Sequence, residues 1–154
     1  MPQISQKVSE KLQKIKIKDI MTRSVITTQE CEPLSDLADI LIKSKISGVP
    51  VVDDSKKIIG IITTTDFLNF MGKIKEGFDI NPKNLPQVKD VMTKGAVTLL
   101  ESDTLFDAVN VMMSRQIHTL PVVKDDKLIG IVGRRDVIMY FYAALRDSVG
   151  EPEE

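Results

Sequence analysis

Two stretches of the chain carry the same order of apolar and polar positions. In the first, apolar residues at 34, 37, 38 and 41 recur at the spacing of one helical face, with Pro33 suited to the first helical position after Glu32. In the second, Leu105, Ala108, Val109 and Met112 make the matching face, with Ser102 or Asp103 as candidate N-cap. A short β-branched run precedes each helix, Val25–Thr28 and Ala96–Leu100. After each helix comes a short apolar strand, Val49–Val52 and Leu120–Val123, then a polar turn at 53–57 and 124–127, then a continuous apolar run, Ile58–Ile62 and Leu128–Val132. A second helix starts near Asp66 and near Asp136, through Phe67–Met71 and Val137–Leu145. Ahead of all this, apolar residues at 4, 8, 12 and 15 form a thin helical stripe that would pack against one copy.

The match extends to residue identity. Ile17-Lys18-Asp19-Ile20-Met21-Thr22 returns as Val88-Lys89-Asp90-Val91-Met92-Thr93, an offset of 71. The offset holds through Pro50-Val51-Val52 and Pro121-Val122-Val123, loses one residue in the next turn, and resumes at 70 from Gly60 and Gly130 to Asp66 and Asp136. The predicted class is therefore α/β: two β-α-β-β-α repeats, each too small to bury a sizeable core alone, packed as a pseudo-twofold pair. The expected boundaries are an N-terminal helical segment at 1–16, repeats at 17–71 and 88–145, a Gly- and Pro-containing linker at 72–87, and an acidic tail at 146–154, disordered from Gly150.

Composition narrows the function. A net charge of −1 gives no global field to recruit nucleic acid or an anionic membrane. No apolar run reaches the roughly 20 residues that span a bilayer, and the first ten residues lack the apolar core of a signal peptide. The single cysteine, Cys31, excludes an internal disulfide and fits a reducing, cytoplasmic setting. One histidine, His118, and no His/Cys/Asp/Glu cluster at ligand spacing argue against a catalytic triad or a metal centre, so no enzyme activity and no required cofactor are expected.

The chemistry concentrates where each apolar run ends: Gly60-Ile61-Ile62-Thr63-Thr64-Thr65-Asp66 and Gly130-Ile131-Val132-Gly133-Arg134-Arg135-Asp136. A strand, a polar turn and a helix N-terminus present unpaired N–H groups to an anion. Threonine hydroxyls can donate to phosphate, and a carboxylate can take a pair of ribose hydroxyls. The same residues are also ordinary helix caps, with Asp66 and Asp136 standing where an N-cap would. Duplication does not separate the two readings, because a duplicated fold duplicates its caps.

Taken together and in order, these motifs resemble a tandem pair of cystathionine-β-synthase (CBS) domains, a stand-alone Bateman module, over nearly all of residues 17–145. The features that match are Asp19–Thr22 and Asp90–Thr93, Gly48–Val52 and Leu120–Val123, and the two Gly-to-Asp segments. The resemblance implies a regulatory module that senses AMP, ADP or ATP, with S-adenosylmethionine or NAD as further candidates, in two clefts between the repeats. A homodimer and a separate effector protein are implied partners, with no membrane role. Carried over position by position, one cleft uses Ile61, Thr63 and Asp66, with Ile46, Ser47, Gly48 and Val49 nearby, Gly95, Ala96 and Val97 at the base, and His118 within reach of phosphate. The other uses Ile131, Arg134, Arg135 and Asp136, with His118, Thr119 and Leu120, and Ser24, Val25 and Ile26 at the base. Gly133 departs from the pattern, which expects threonine there. One hydrogen bond of about 1 kcal/mol is lost, and Arg134 and Arg135 offer charge-assisted contacts instead. The arginines point to a ligand with more than one phosphate, shared between or bridging the clefts.

The remaining features have plainer readings. Met112 and Met113 read as core or interface filler. Leu37, Leu41, Met112, Met113 and the Val137–Tyr142 run suggest apolar surface for self-association. Lys7, Lys11, Lys14, Lys16 and Lys18 form a basic run without interleaved aromatics. It supports a rival reading, an adaptor with vestigial clefts that binds protein or nucleic acid through residues 4–18, with nucleic acid the weaker prospect.

Overall fold

The computed structural model describes residues 5–77, 81, 83 and 85–149. Ile4 of the N-terminal stripe and residues 150–154 of the expected tail lie outside them. In chain order the elements are α1 (Gln6–Gln13), α2 (Ile17–Ile20), α3 (Leu34–Ser44), β1 (Gly48–Val52), β2 (Ile58–Thr63) and α4 (Thr64–Lys75). There follow α5 (Val88–Val91), β3 (Thr93–Lys94), α6 (Leu105–Arg115), β4 (Thr119–Lys124), β5 (Lys127–Gly133) and α7 (Arg134–Val149). The mixed α/β class and both strand–strand–helix runs are as the hydrophobic pattern predicts. The strands form two small sheets, of order β1-β2-β3 and β4-β5.

The described residues gather into two compact units that do not follow the sequence repeats. One, the Gly60 unit, joins Val25–Val97 to Asp125–Leu128; the other, the Gly130 unit, joins residues up to Ser24 to Thr98–Lys124 and those from Ile129 on. Each repeat thus contributes its opening residues to the unit built by the other repeat. Thr22 exchanges backbone hydrogen bonds with Ile131, at 2.9 and 3.0 Å, and Thr93 pairs with Ile61 in β2. Repetition in sequence cannot reveal such an exchange, because swapped and unswapped openings carry the same residues.

In the Gly60 unit, Leu34, Leu37 and Leu41 of α3 pack on Val49, Val51 and Ile62 of the sheet and on Val88 of α5, with Phe67 and Phe70 of α4 at the margin. Side chains spaced along one stripe of α3 meet a strand buried at every position, which is why β1 is uniformly apolar. Burying each such leucine fully is worth about 1.5–3 kcal/mol. In the Gly130 unit α1 lies against α6 and α7 through Leu12, the only wholly buried residue of that helix. The thin stripe expected at residues 8, 12 and 15 is real, but Leu12 carries it. Ser5 caps α1 by accepting a hydrogen bond from Val8 N.

Four local expectations are corrected. The β-rich runs at 25–28 and 96–100 form only single parallel bridges, Thr28 with Val51 and Leu99 with Val122. The α6 cap is Thr104, whose hydroxyl accepts from Asp107 N at 3.1 Å while Asp107 accepts from Thr104 N at 2.9 Å. This reciprocal box satisfies two donors, which neither Ser102 nor Asp103 does for α6. Pro33 is the N-cap of α3 rather than its first helical residue. Finally, of the residues expected to offer apolar surface, Leu37 and Leu41 belong to the core, whereas Met113 is 76% exposed. The single-turn helices α2 and α5 are too short for periodicity to reveal.

Candidate functional site

The corner of the Gly60 unit is built by three strands and a helix start. β1 and β2 pair antiparallel with Gly48 opposite Thr63, Val49 opposite Ile62 and Pro50 opposite Ile61. Thr64 N, at the start of α4, donates to Ser47 O at 3.0 Å. β3 covers the other edge of β2, with Ile61 opposite Thr93 and Gly60 opposite Lys94. The approach is close: a Cβ on Gly60 would stand 2.5 Å from Thr93 O, so only glycine fits there. Gly95, with φ of +70°, turns the chain back and donates its N–H to Ile59 O at 3.1 Å. Half-buried Ala96 and Val97 follow.

The acid at this corner is not an N-cap. Thr63 is the N-cap and Asp66 the third helical residue, joined in a capping box. Asp66 Oδ2 accepts from Thr63 N at 2.7 Å and from the Thr63 hydroxyl at 3.1 Å, while Thr63 Oγ1 accepts from Asp66 N at 3.4 Å. Its other oxygen, Oδ1, accepts from the Thr93 hydroxyl at 2.9 Å. Three donors from two segments therefore fix the carboxylate. The Thr63 proton is engaged with Asp66, so the hydroxyls left to donate to a phosphate are those of exposed Thr64 and Thr65.

The Gly130 unit repeats the corner with less wiring. Arg134 N donates to His118 O at 3.0 Å, as Thr64 does to Ser47. Gly133 N donates to Asp136 Oδ2 at 2.7 Å, which is half of the capping box. No hydroxyl completes it, and among the described residues Asp136 has no other donor. A Cβ on Gly133 would meet Asp136 Oδ2 at 3.5 Å, an ordinary contact, so the missing side chain is not forced by space. Arg134 and Arg135 are exposed in the first turn of α7, and neither side chain has an ion-pair or hydrogen-bond partner among the described residues. Arg23, beside Thr22, lies 3.6 Å from Glu101.

The sequence-predicted residues sort by unit. Ile46, Ser47, Gly48, Val49, Ile61, Thr63, Asp66, Gly95, Ala96 and Val97 all belong to the Gly60 unit. Ser24, His118, Thr119, Leu120, Ile131, Arg134, Arg135 and Asp136 belong to the Gly130 unit, while Val25 and Ile26 fall in the Gly60 unit. Val49 and Leu120 are fully buried, so their backbone is what they can offer. His118 is exposed and Thr119 buried. Sequence reasoning missed Thr93. Its signal is the repeated Asp-x-Met-Thr, which marks the repeat start and carries the family resemblance without naming the threonine as a site residue. Among the described residues no group of three or more His, Cys, Asp or Glu side chains could hold a metal ion.

Comparison with known proteins agrees with this architecture. The CBS domain matches twice, at residues 17–73 and 88–143, and the chain belongs to the CBS-domain family as a tandem pair. YlbB of Bacillus subtilis is 32% identical over 126 residues, covering 79% of this chain and 79% of YlbB. The chain spans 46% of MJ1225 from Methanocaldococcus jannaschii, to which it is 30% identical over 131 residues, and 26% of inosine-5'-monophosphate dehydrogenase from the same organism. Among solved structures it is similar to CBSX2 in complex with AMP, at TM-score 0.72 and 28% identity over 87% of this chain and 98% of that one. It is likewise similar to the CBS domain pair of MJ0100 in complex with 5'-methylthioadenosine and S-adenosylmethionine, at TM-score 0.70 and 28% identity over 82% and 98%. Among the described residues no helix is long and apolar enough to cross a membrane.

Proposed function

We propose that the chain is a regulatory module that binds an adenosine-containing nucleotide of the AMP, ADP or ATP class at these corners and passes a change of shape to a separate partner protein. The observation that carries this reading is the Asp66 carboxylate, held by Thr63 and Thr93 beside the Gly95–Val97 segment. A fixed carboxylate is an acceptor for a ribose diol, and the α4 N-terminus next to it favours phosphate. Support comes from relatives of the same fold that hold AMP, and 5'-methylthioadenosine with S-adenosylmethionine. Binding would act by differential affinity for two states of the module.

A second copy of the chain is the proposed assembly partner. Repeat-equivalent positions expose apolar side chains in both units: Ile42 and Met113 at 75% and 76%, Leu68 and Ile138 at 65% and 64%. Apolar surface recurring on the equivalent helices of both units suits a self-complementary contact. Light scattering is expected to give a dimer that Leu68→Asp with Ile138→Asp dissociates.

A thermal-shift panel of AMP, ADP, ATP, NAD and S-adenosylmethionine tests the ligand. One of these at about 100 times its dissociation constant adds roughly 2.7 kcal/mol of stability, a shift lost in Asp66→Ala. Silence across the panel from a folded protein would reject the sensor and leave the exposed lysines of α1 and the adaptor reading.

A further inference from the structure

We infer that Thr93 is a positioning residue for Asp66 and makes the Gly60 corner the tighter of the two adenosine sites; the inference rests on the nucleotide reading above. Three facts converge on it. The Thr93 hydroxyl donates to Asp66 Oδ1 at 2.9 Å, across 27 residues of sequence, so the bond joins two segments and is not local capping. The backbone around Thr93 is held in register by the Ile61 pairing, by the Gly95 N–H on Ile59 O, and by the contact that excludes a Cβ at Gly60. The hydroxyl is therefore presented from a fixed strand. At the repeat-equivalent position Thr22 has the same backbone pairing, to Ile131, but its hydroxyl makes no bond to Asp136.

The consequence is chemical. A carboxylate oxygen accepts more than one hydrogen bond, so Oδ1 can keep Thr93 and still take a ribose hydroxyl. With Thr63 on one oxygen and Thr93 on the other, rotation of the carboxylate is restrained before ligand arrives, and less ordering is left to oppose binding. Thr93 also precedes Gly95–Val97 by two residues. The same hydroxyl therefore sets the distance between the proposed ribose anchor and the proposed base wall. At the Gly130 corner Asp136 is restrained by one backbone N–H alone.

The test uses the full chain and AMP. Calorimetric titration of the wild type, Thr93→Val, Thr93→Ser and Thr22→Val is paired with the 13C resonance of the Asp66 carboxylate in the ligand-free protein. Valine keeps the shape and backbone pairing and removes only the hydroxyl. The expected result is an affinity about three- to tenfold weaker at the tighter site in Thr93→Val, the worth of one hydrogen bond. Thr93→Ser restores it, Thr22→Val leaves that site unchanged, and the Asp66 resonance moves in Thr93→Val. Wild-type affinity in Thr93→Val, or an unmoved Asp66 resonance, overturns the role of Thr93 while the nucleotide reading stands. A folded wild type silent to AMP and to the rest of the thermal-shift panel overturns both.

Discussion

The two Gly-to-Asp corners follow one repeated pattern but are finished differently. At the first, a threonine in the turn and a threonine from the opposite strand give Asp66 three donors on two oxygens. At the second, glycine takes the place of the turn threonine, the strand threonine makes no hydrogen bond to the acid, and Asp136 keeps one donor. Where the first corner has Thr64 and Thr65, the second has Arg134 and Arg135. One corner is organised by hydrogen bonds within the protein, whereas the other leaves its carboxylate looser and puts two cations beside it. A repeat that keeps its backbone geometry thus finishes its two corners differently through three substitutions, Thr63 to Gly133, Thr64 to Arg134 and Thr65 to Arg135.

The sharpest way to break this comparison is at the glycines. Gly60→Ala drives a Cβ into a backbone carbonyl, whereas at Gly130 the nearest atom is the movable Met21 sulfur at 2.6 Å. Gly60→Ala is expected to cost about 2–3 kcal/mol, and Gly130→Ala less, read from urea midpoints with unchanged slope. Next come the acids. Asp66→Ala, which strands three donors, should destabilise the ligand-free chain by about 1–2 kcal/mol, and Asp136→Ala, which strands one, by about a third of that. Equal losses would mean that the hydrogen-bond difference has no energetic weight. The arginines give a smaller effect, visible only with ligand. Arg134→Ala with Arg135→Ala should weaken ATP about tenfold and AMP two- to threefold, the difference shrinking in high salt because both side chains are exposed. The smallest is a gain. Gly133→Thr has room for its Cβ and completes the capping box, so it should raise stability by about 0.5–1 kcal/mol, seen as a higher melting temperature.

The repeat, the α/β class and the buried faces of α3 and α6 were legible because helical period and strand length are written directly in apolar spacing. Leu34, Leu37 and Leu41 fall where the pattern puts them. The exchange of openings was not legible. Ile17–Thr22 and Val88–Thr93 are nearly identical, so either segment would satisfy either sheet, and chain connectivity decides. The candidate corners stood out as sequence, but the role of their aspartates did not. Asp66 was read as an N-cap or a ribose ligand, and the structure makes it the third residue of a capping box whose cap is Thr63. That pairing, Thr with Asp three residues on, is a local signal the residues carried. Thr93 was out of reach of any local pattern, because its partner lies 27 residues away and only the β2–β3 pairing brings the two together. Exposure is legible only in part. Leu37 and Leu41 suggest surface by residue type but lie on the buried stripe of α3, whereas Met113, one position and about 100° from the half-buried Met112, is exposed.

Calorimetric titration of AMP into the wild type, Asp66→Ala and Asp136→Ala addresses the central claim most directly. Two unequal adenosine sites predict biphasic binding in the wild type, loss of the tighter phase in Asp66→Ala, and loss of the weaker phase alone in Asp136→Ala. Identical isotherms in all three folded proteins would contradict it, and both corners would then be helix caps and nothing more.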